Sequence, residues 1–474
     1  MFRLLPSGAL LLFLAQAVFS SSQQSVSPPY QNLPLGSILE RVICSSNPDQ
    51  SYSLYLPSNY TSDRSWPIVY SFDPAARGKI PVELQKEGAE RFGYILAASN
   101  NSRNGPWKPE AEAAEAMLND TQARFSIDPH RIYFAGFSGG ARLASQLATL
   151  CKCAAGVVLS GAGFANGREP STDARFVVFS SVGTLDFNYR EVIPLQAKLA
   201  LAGDPHWLRT FDGTHEWAPA IVMTEALAWL RVEAIKSELT PTDDSFLRDQ
   251  LAESEARADS LVQTQEVLSA FREYSQIVAT YEGLLDVRGV RAKLDALGKE
   301  KSFRDALKQE TADFEEQDRL TAGISAALST SSSAIAAAAI TESSAEEQIR
   351  SLRERAAHEK RQRQALVFKR ALAGVFIEAM ELGSDALDHK NYPLAIRCYR
   401  SATEANPQSE WAWENLAVAH ANNGTSKEAL SALRRARAVA PDTTRFLEWL
   451  TREPAFDRYH ASPDFRDLQK LNGS

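Results

Sequence analysis

The residues best suited to chemistry lie between positions 136 and 215. Gly136-Phe137-Ser138-Gly139-Gly140 sets a serine among glycines, the G-x-S-x-G pattern of a sharp strand-to-helix turn. The flanks suit that turn: residues 131–136 (RIYFAG) read as a short buried strand, and the stretch to residue 150 reads as a helix. A serine hydroxyl is a weak nucleophile and needs a base. The surrounding region offers His130, His206 and His215. In a parallel sheet, groups that act together gather beyond the carboxyl ends of the strands. His130 and His206 precede strands, whereas His215 follows residues 207–211 (WLRTF) in the loop 212–217. His215 is therefore the expected general base. The same rule sorts the acids. Asp173 and Asp204 precede strands, Asp186 follows residues 176–181 (FVVFSS) in a loop of its own, and Asp212 shares the short loop of His215. Asp186 is expected to hold the imidazole in one tautomer. Asp212 is the runner-up, with a turn-shaping role as its other reading.

Those residues need a frame, and the chain supplies one. From residue 38 to 238, short apolar runs alternate with helical stretches: strands at 51–56, 67–72, 94–99, 131–136, 155–160, 176–181 and 207–211, and helices at 109–125, 139–150, 189–202 and 218–235. Strand and helix in series imply a mostly parallel sheet covered on both faces, an α/β catalytic domain.

Asp128-Pro129-His130-Arg131-Ile132-Tyr133 running into Gly136-Phe137-Ser138-Gly139-Gly140 resembles secreted esterases of the polyhydroxyalkanoate-depolymerase and feruloyl-esterase kind. The resemblance covers roughly residues 40 to 235, a span suited to one domain. The order Ser, Asp, His is that of α/β-hydrolases. The resemblance implies hydrolysis of a small or polymeric carboxylic ester through an acyl-enzyme, with no metal and no organic cofactor. One departure stands out. Those esterases commonly carry His-Gly after the third strand, where this chain has Ser71-Phe72-Asp73-Pro74-Ala75-Ala76-Arg77-Gly78. Backbone N–H groups can still form an oxyanion hole. The expected donors are Gly139 and the segment holding Asp73 and Ala75; Pro74 has no N–H. Asn101, Arg103 and Asn104 follow the 94–99 strand at the same edge, and with Phe137 they are the candidate substrate contacts. Two rival readings share these residues: peptide hydrolysis by the same triad, and an inactive hydrolase-fold platform whose tail recruits a partner. The lack of an upstream propeller weighs against the first, and the complete triad against the second.

After residue 238 the composition changes. No proline occurs between Pro241 and Pro393, and Phe271, Tyr274, Ile277, Tyr281 and Leu284 recur at helical spacing. Residues 239–370 are expected as long helices, interrupted flexibly at the Ala- and Ser-rich stretch 329–344. The tail repeats itself. Ala379, Leu382, Gly383, Ala386, Ala395, Tyr399, Ala402 and Pro407 are answered by Trp413, Leu416, Ala417, His420, Ala429, Leu433, Ala436 and Pro441, at a period of 34 residues. These positions resemble tetratricopeptide repeats over 371–445, with a helical cap at 446–474; Ala386 and His420 stand where that family often has an aromatic. The repeats imply a protein or peptide partner, or a lid over the active site.

A net charge of -8 without a clustered basic face argues against nucleic acid as partner. Arg3, the apolar run 4–19 and Ala15-Gln16-Ala17 resemble a signal peptide at 1–20, followed by a Ser-, Gln- and Pro-rich linker at 21–37. The expected protein is secreted or periplasmic, with no transmembrane segment after processing. In that setting a bridge from Cys44 to Cys151 or Cys153 is an open possibility, and Cys398 reads as a small core residue.

Overall fold

The computed structural model describes residues 33–165, 176–329 and 335–469; of residues 329 and 335–344 it describes the backbone. The expected leader at 1–20, most of the linker and Asp173 lie outside the described residues. The chain divides into two compact units, one running to Lys308 and one from Gln309.

The first unit is built on a sheet of eight strands: β1 (Ile38–Cys44), β2 (Asn47–Tyr55), β3 (Trp66–Phe72), β4 (Ile95–Ser99), β5 (Ile127–Phe137), β6 (Ala154–Ser160), β7 (Val177–Gly183) and β8 (His206–Phe211). Their order is β1-β2-β4-β3-β5-β6-β7-β8. Among the described residues, only the β1–β2 and β2–β4 strand pairs are antiparallel. All seven residues of β3 are buried, as a central parallel strand with helices on both faces requires. The period of two divides its side chains between those faces. Ile68, Tyr70 and Phe72 point into one core, with β5 residues Ile132 and Phe134. Val69 points into the other, with Tyr133, Ala135 and Phe137.

Helices α1 (Lys79–Phe92) and α5 (Ala220–Lys236) line the second of these cores. Helices α2 (Trp107–Arg124), α3 (Gly139–Cys151) and α4 (Tyr189–Ala202) line the first. Three more helices, α6 (Asp244–Gln263), α7 (Val267–Tyr281) and α8 (Arg288–Lys299), add their apolar faces to the α1–α5 side. They also treat an exposed edge. The Gln276 side chain of α7 accepts from the Leu208 N–H and donates to its C=O at 3.3 Å, so β8 does not present bare ladder groups there.

The disulfide differs from the possibility raised above. Cys151 pairs with Cys153, while Cys44 and Cys398 are free and buried. The sheet order explains it. Cys44 ends the edge strand β1, and β2, β4, β3 and β5 separate it from β6, whose start adjoins Cys153. Strands lie about 4.8 Å apart, whereas a disulfide needs Cα atoms within about 7 Å.

The second unit is helical. Helix α9 (Lys301–Ser329) leads into it, followed by α10 (Ile335–His358), α11 (Gln362–Asp388), α12 (Tyr392–Ala405), α13 (Glu410–Asn422), α14 (Ser426–Val439) and α15 (Thr443–Arg452), then a 3₁₀ turn (Pro454–Tyr459) and α16 (Pro463–Gln469). The flexible interruption expected at 329–344 is helical from Ile335 onward. Its alanine run, the best helix former, outweighs its serines. In the repeats, small residues let helices meet. A Cβ on Gly383 would lie 2.6 Å from the Tyr399 ring, and Ala379, Ala395, Ala402, Ala417, Ala429 and Ala436 are fully buried. Phe446, Phe456 and Phe465 close the end. Among the described residues, no helix is long and apolar enough to cross a membrane.

Candidate active site

Strand β5 delivers Ser138 to the sheet's carboxyl edge, and α3 begins at the next residue. Ser138 has φ 53° and ψ -120°, a conformation that costs a non-glycine residue about 1–3 kcal/mol. Its N–H donates to the Ser160 C=O of β6 at 2.9 Å, and its own C=O accepts from Ala141 N–H at 3.0 Å. The glycines of the motif answer to contact. A Cβ on Gly136 would overlap the Gly140 carbonyl, and one on Gly140 would overlap the Phe72 carbonyl. Only residues without a Cβ let α3 turn back so close to β5 and β3. Arg142, on the first turn of α3, pairs with both Glu191 oxygens at 2.9 Å and with the Phe164 C=O at 3.1 Å, which holds that turn in place.

The other two groups arrive on neighbouring loops. Asp186 follows β7 and His215 follows β8. Leu185 N–H donates to Gly213 C=O at 2.9 Å, and Thr184 N–H to Phe211 C=O at 2.9 Å, so the two loops are bonded to each other. The structure brings the three side chains into one chain of hydrogen bonds. His215 Nε2 is 2.8 Å from Ser138 Oγ. His215 Nδ1 is 2.9 Å from each Asp186 carboxylate oxygen. A carboxylate only accepts, so Nδ1 carries the proton and Nε2 is left to accept from the serine hydroxyl. Asp186 is fully buried; the Asn188 N–H donates to it at 2.8 Å. Asp212 takes no part: it is exposed, with Thr184 Oγ1 at 3.5 Å.

Phe137 and Phe187 flank the imidazole, with ring centroids 4.7 and 4.4 Å away. Phe137, read from sequence as a substrate contact, is 6% exposed and packs between His215 and Trp217. Sequence reasoning passed over Phe187 and Trp217. Both are aromatics within two positions of a triad member, which was the available signal.

In the segment after β3, Ala75 departs from the expected role. The Asp73 side chain is fully buried. Its Oδ1 accepts from Ala75 N–H at 2.9 Å and from Arg77 Nε at 2.8 Å. Its Oδ2 accepts from an Arg77 terminal nitrogen at 2.9 Å and from Trp217 Nε1 at 2.8 Å. The Ala75 N–H, expected to face the oxyanion, is thus turned to the Asp73 carboxylate. A short acidic side chain beside proline captures the N–H two residues on in a local turn. Asp73 brings a carboxylate clamp to the site, joining this segment to Trp217 beside the histidine.

Of the 101–104 group, the Asn101 carboxamide is engaged by backbone groups of β2. It accepts from Ser51 N–H at 2.8 Å and donates to Asp49 C=O at 3.0 Å, tying its loop to β2. Arg103 is exposed and bridges Ala75 through the backbone. Asn104 donates its N–H to Pro74 C=O at 2.9 Å, and its side chain lies over Gly139. Glu110, in the first turn of α2, has its carboxyl pushed up to about 7 by burial while the Gly105 N–H bonds to it.

The tetratricopeptide repeat family matches residues 380–443. No curated protein matches the chain. Among solved structures it is similar to an S-formylglutathione hydrolase from Staphylococcus aureus at 13% identity and TM-score 0.34, over 42% of this chain and 98% of that one. It is also similar to a ferulic acid esterase at 16% identity and TM-score 0.36, over 41% and 96%, and to an esterase from Mycobacterium marinum at 17% identity and TM-score 0.32, over 41% and 82%. The observed architecture is a mostly parallel sheet covered by helices on both faces, with Ser138 on the turn after β5 and Asp186 and His215 following it in chain order, and then a helical unit in which residues 380–443 match the tetratricopeptide repeat family.

Proposed function

We propose that the first unit is a serine hydrolase that cleaves carboxylic esters through an acyl-enzyme, with Ser138, His215 and Asp186 as its triad. The observation that carries the reading is the unbroken relay from Ser138 Oγ through His215 to the buried Asp186. Ser138 Oγ attacks the ester carbonyl carbon as His215 Nε2 takes its proton. Asp186 stabilises the imidazolium and fixes the ring. The tetrahedral adduct collapses as His215 returns the proton to the leaving alcohol oxygen. Water, deprotonated by the same nitrogen, then attacks the acyl carbon; the acid leaves and Ser138 regains its hydrogen. The Gly139 N–H supports the oxyanion: it heads α3, where the first N–H groups have no intrahelical acceptor.

The reading extends to location and partner. The Cys151–Cys153 disulfide supports work in an oxidising compartment, together with the leader-like residues 1–20. The repeats support a protein or peptide partner for the second unit. The test is hydrolysis of p-nitrophenyl acetate by the protein and by Ser138→Ala. Turnover that vanishes in the variant is expected; equal turnover in both would overturn the reading and leave the hydrolase-fold platform in its place.

A further inference from the structure

An oxyanion generated at Ser138 needs more than the single Gly139 donor, and the 74–77 turn, in the segment that ordinarily completes such a hole, has committed its N–H groups. Pro74 has none. Ala75 N–H is 2.9 Å from Asp73 Oδ1, Arg77 N–H is 3.4 Å from the same atom, and Ala76 N–H donates to Asp73 C=O at 3.1 Å. Freeing the Ala75 N–H would strip a donor from a fully buried carboxylate, which is costly.

A side chain stands beside the residue that follows the nucleophile. Asn104 is fixed by backbone: its N–H bonds to Pro74 C=O, and Arg103 bridges Ala75. Its carboxamide lies against Gly139, the residue after the nucleophile. A Cβ built on Gly139 would overlap Asn104 Oδ1 and lie 2.7 Å from Cγ and 3.0 Å from Nδ2. Asn104 is exposed, so the group faces open space rather than the core. The two ends of a carboxamide are nearly isosteric, and a half-turn of the group exchanges Oδ1 for the Nδ2 donor.

We propose that the Asn104 carboxamide is the second oxyanion donor, its Nδ2–H acting beside the Gly139 N–H on the tetrahedral adduct at Ser138. The role replaces the general polar contact expected of Asn104 from sequence, and it rests on the hydrolase reading above. It gives Gly139 a reason to be glycine, since a methyl group there would occupy the space of the carboxamide. A side-chain amide in this position strengthens its bond as charge develops on the carbonyl oxygen, so it acts on kcat more than on KM.

The experiment measures kcat and KM for p-nitrophenyl acetate with the full chain and with Asn104→Ala, Asn104→Asp and Gly139→Ala, each checked for folding by circular dichroism. Asn104→Ala is expected to lower kcat about a hundred- to a thousandfold with KM within about threefold. Asn104→Asp should lose more, because it sets a negative charge against the oxyanion. The loss from Gly139→Ala should largely vanish in the Asn104→Ala background, where the displaced carboxamide is already gone. Inhibition by a methylboronic acid, which forms a tetrahedral adduct on serine, should weaken in step with kcat/KM. If Asn104→Ala keeps kcat within about threefold while Ser138→Ala is inactive, this inference falls alone and the second donor is a backbone group such as the Asp73 N–H. If the parent protein neither turns over ester nor reacts with a fluorophosphonate, the hydrolase reading falls and takes this one with it.

Discussion

The two walls of the Ser138 crevice are built by opposite means. On the histidine wall, each function belongs to one side chain: a buried carboxylate, an imidazole packed between Phe137 and Phe187, and a serine forced into a strained turn. On the opposing wall, what counts is where peptide N–H groups point, and there a buried aspartate holds those of Ala75 and Arg77. Side-chain chemistry leaves a mark in the sequence; the direction of an N–H does not. The triad proposal leaves each role on the first wall to one side chain, whereas the Asn104 proposal moves one on the second from backbone to side chain.

The histidine wall should break with the largest effect. Asp186→Asn keeps the shape but favours the wrong tautomer, and kcat should fall about ten-thousandfold with little change in KM. Asp212→Asn, on the same loop as His215 but exposed, should leave kcat within about twofold, since surface substitutions away from such features change little. Together the two assays show which acid serves the imidazole.

Asp73→Asn probes the opposing wall. It removes the charge that holds Arg77 and weakens the acceptor for Trp217 Nε1. Hydrogen bonds to a charged group are worth about 1.5–3 kcal/mol, so thermal unfolding should shift down by roughly 5 °C. Activity should fall far less than in Asp186→Asn, because Asp73 acts on the site through Trp217 and the 74–77 turn.

The smallest effect concerns the frame shared by both walls. Burial pushes the Glu233 carboxyl on α5 up to about 7. The folded state therefore keeps a proton that the unfolded state loses near pH 4.5. Its stabilising share is present in full at acid pH and is lost as pH climbs through about 7. Melting temperature followed from pH 5 to 8 should decline less steeply in Glu233→Gln than in the parent. Glu110, also raised to about 7, should retain part of the slope.

The parallel sheet was legible because its strands are short apolar runs between helices, and the meeting of Ser138, Asp186 and His215 because each follows a strand. Other features were not. β1 (ILERVIC) is an antiparallel edge strand whose exposed charged residues blur its apolar pattern. Helix α1 carries Pro81 and Gly88 and few large apolar residues, so it passed unnoticed between two strong strands. The seventh-to-eighth-strand region was read correctly, yet the closure of β8 by Gln276 depends on a helix far along the chain. The Cys151–Cys153 pairing and the inward turn of the Ala75 N–H are matters of distance and direction, set only once the sheet order and the Asp73 clamp exist.

The central claim is that Ser138 is an activated nucleophile. Labelling the protein with a fluorescent fluorophosphonate, beside Ser138→Ala and His215→Ala, tests it most directly. Rapid labelling of the parent, none of Ser138→Ala and a strongly reduced rate for His215→Ala are expected. A folded parent that takes no label, or a Ser138→Ala variant labelled as fast as the parent, would contradict the account.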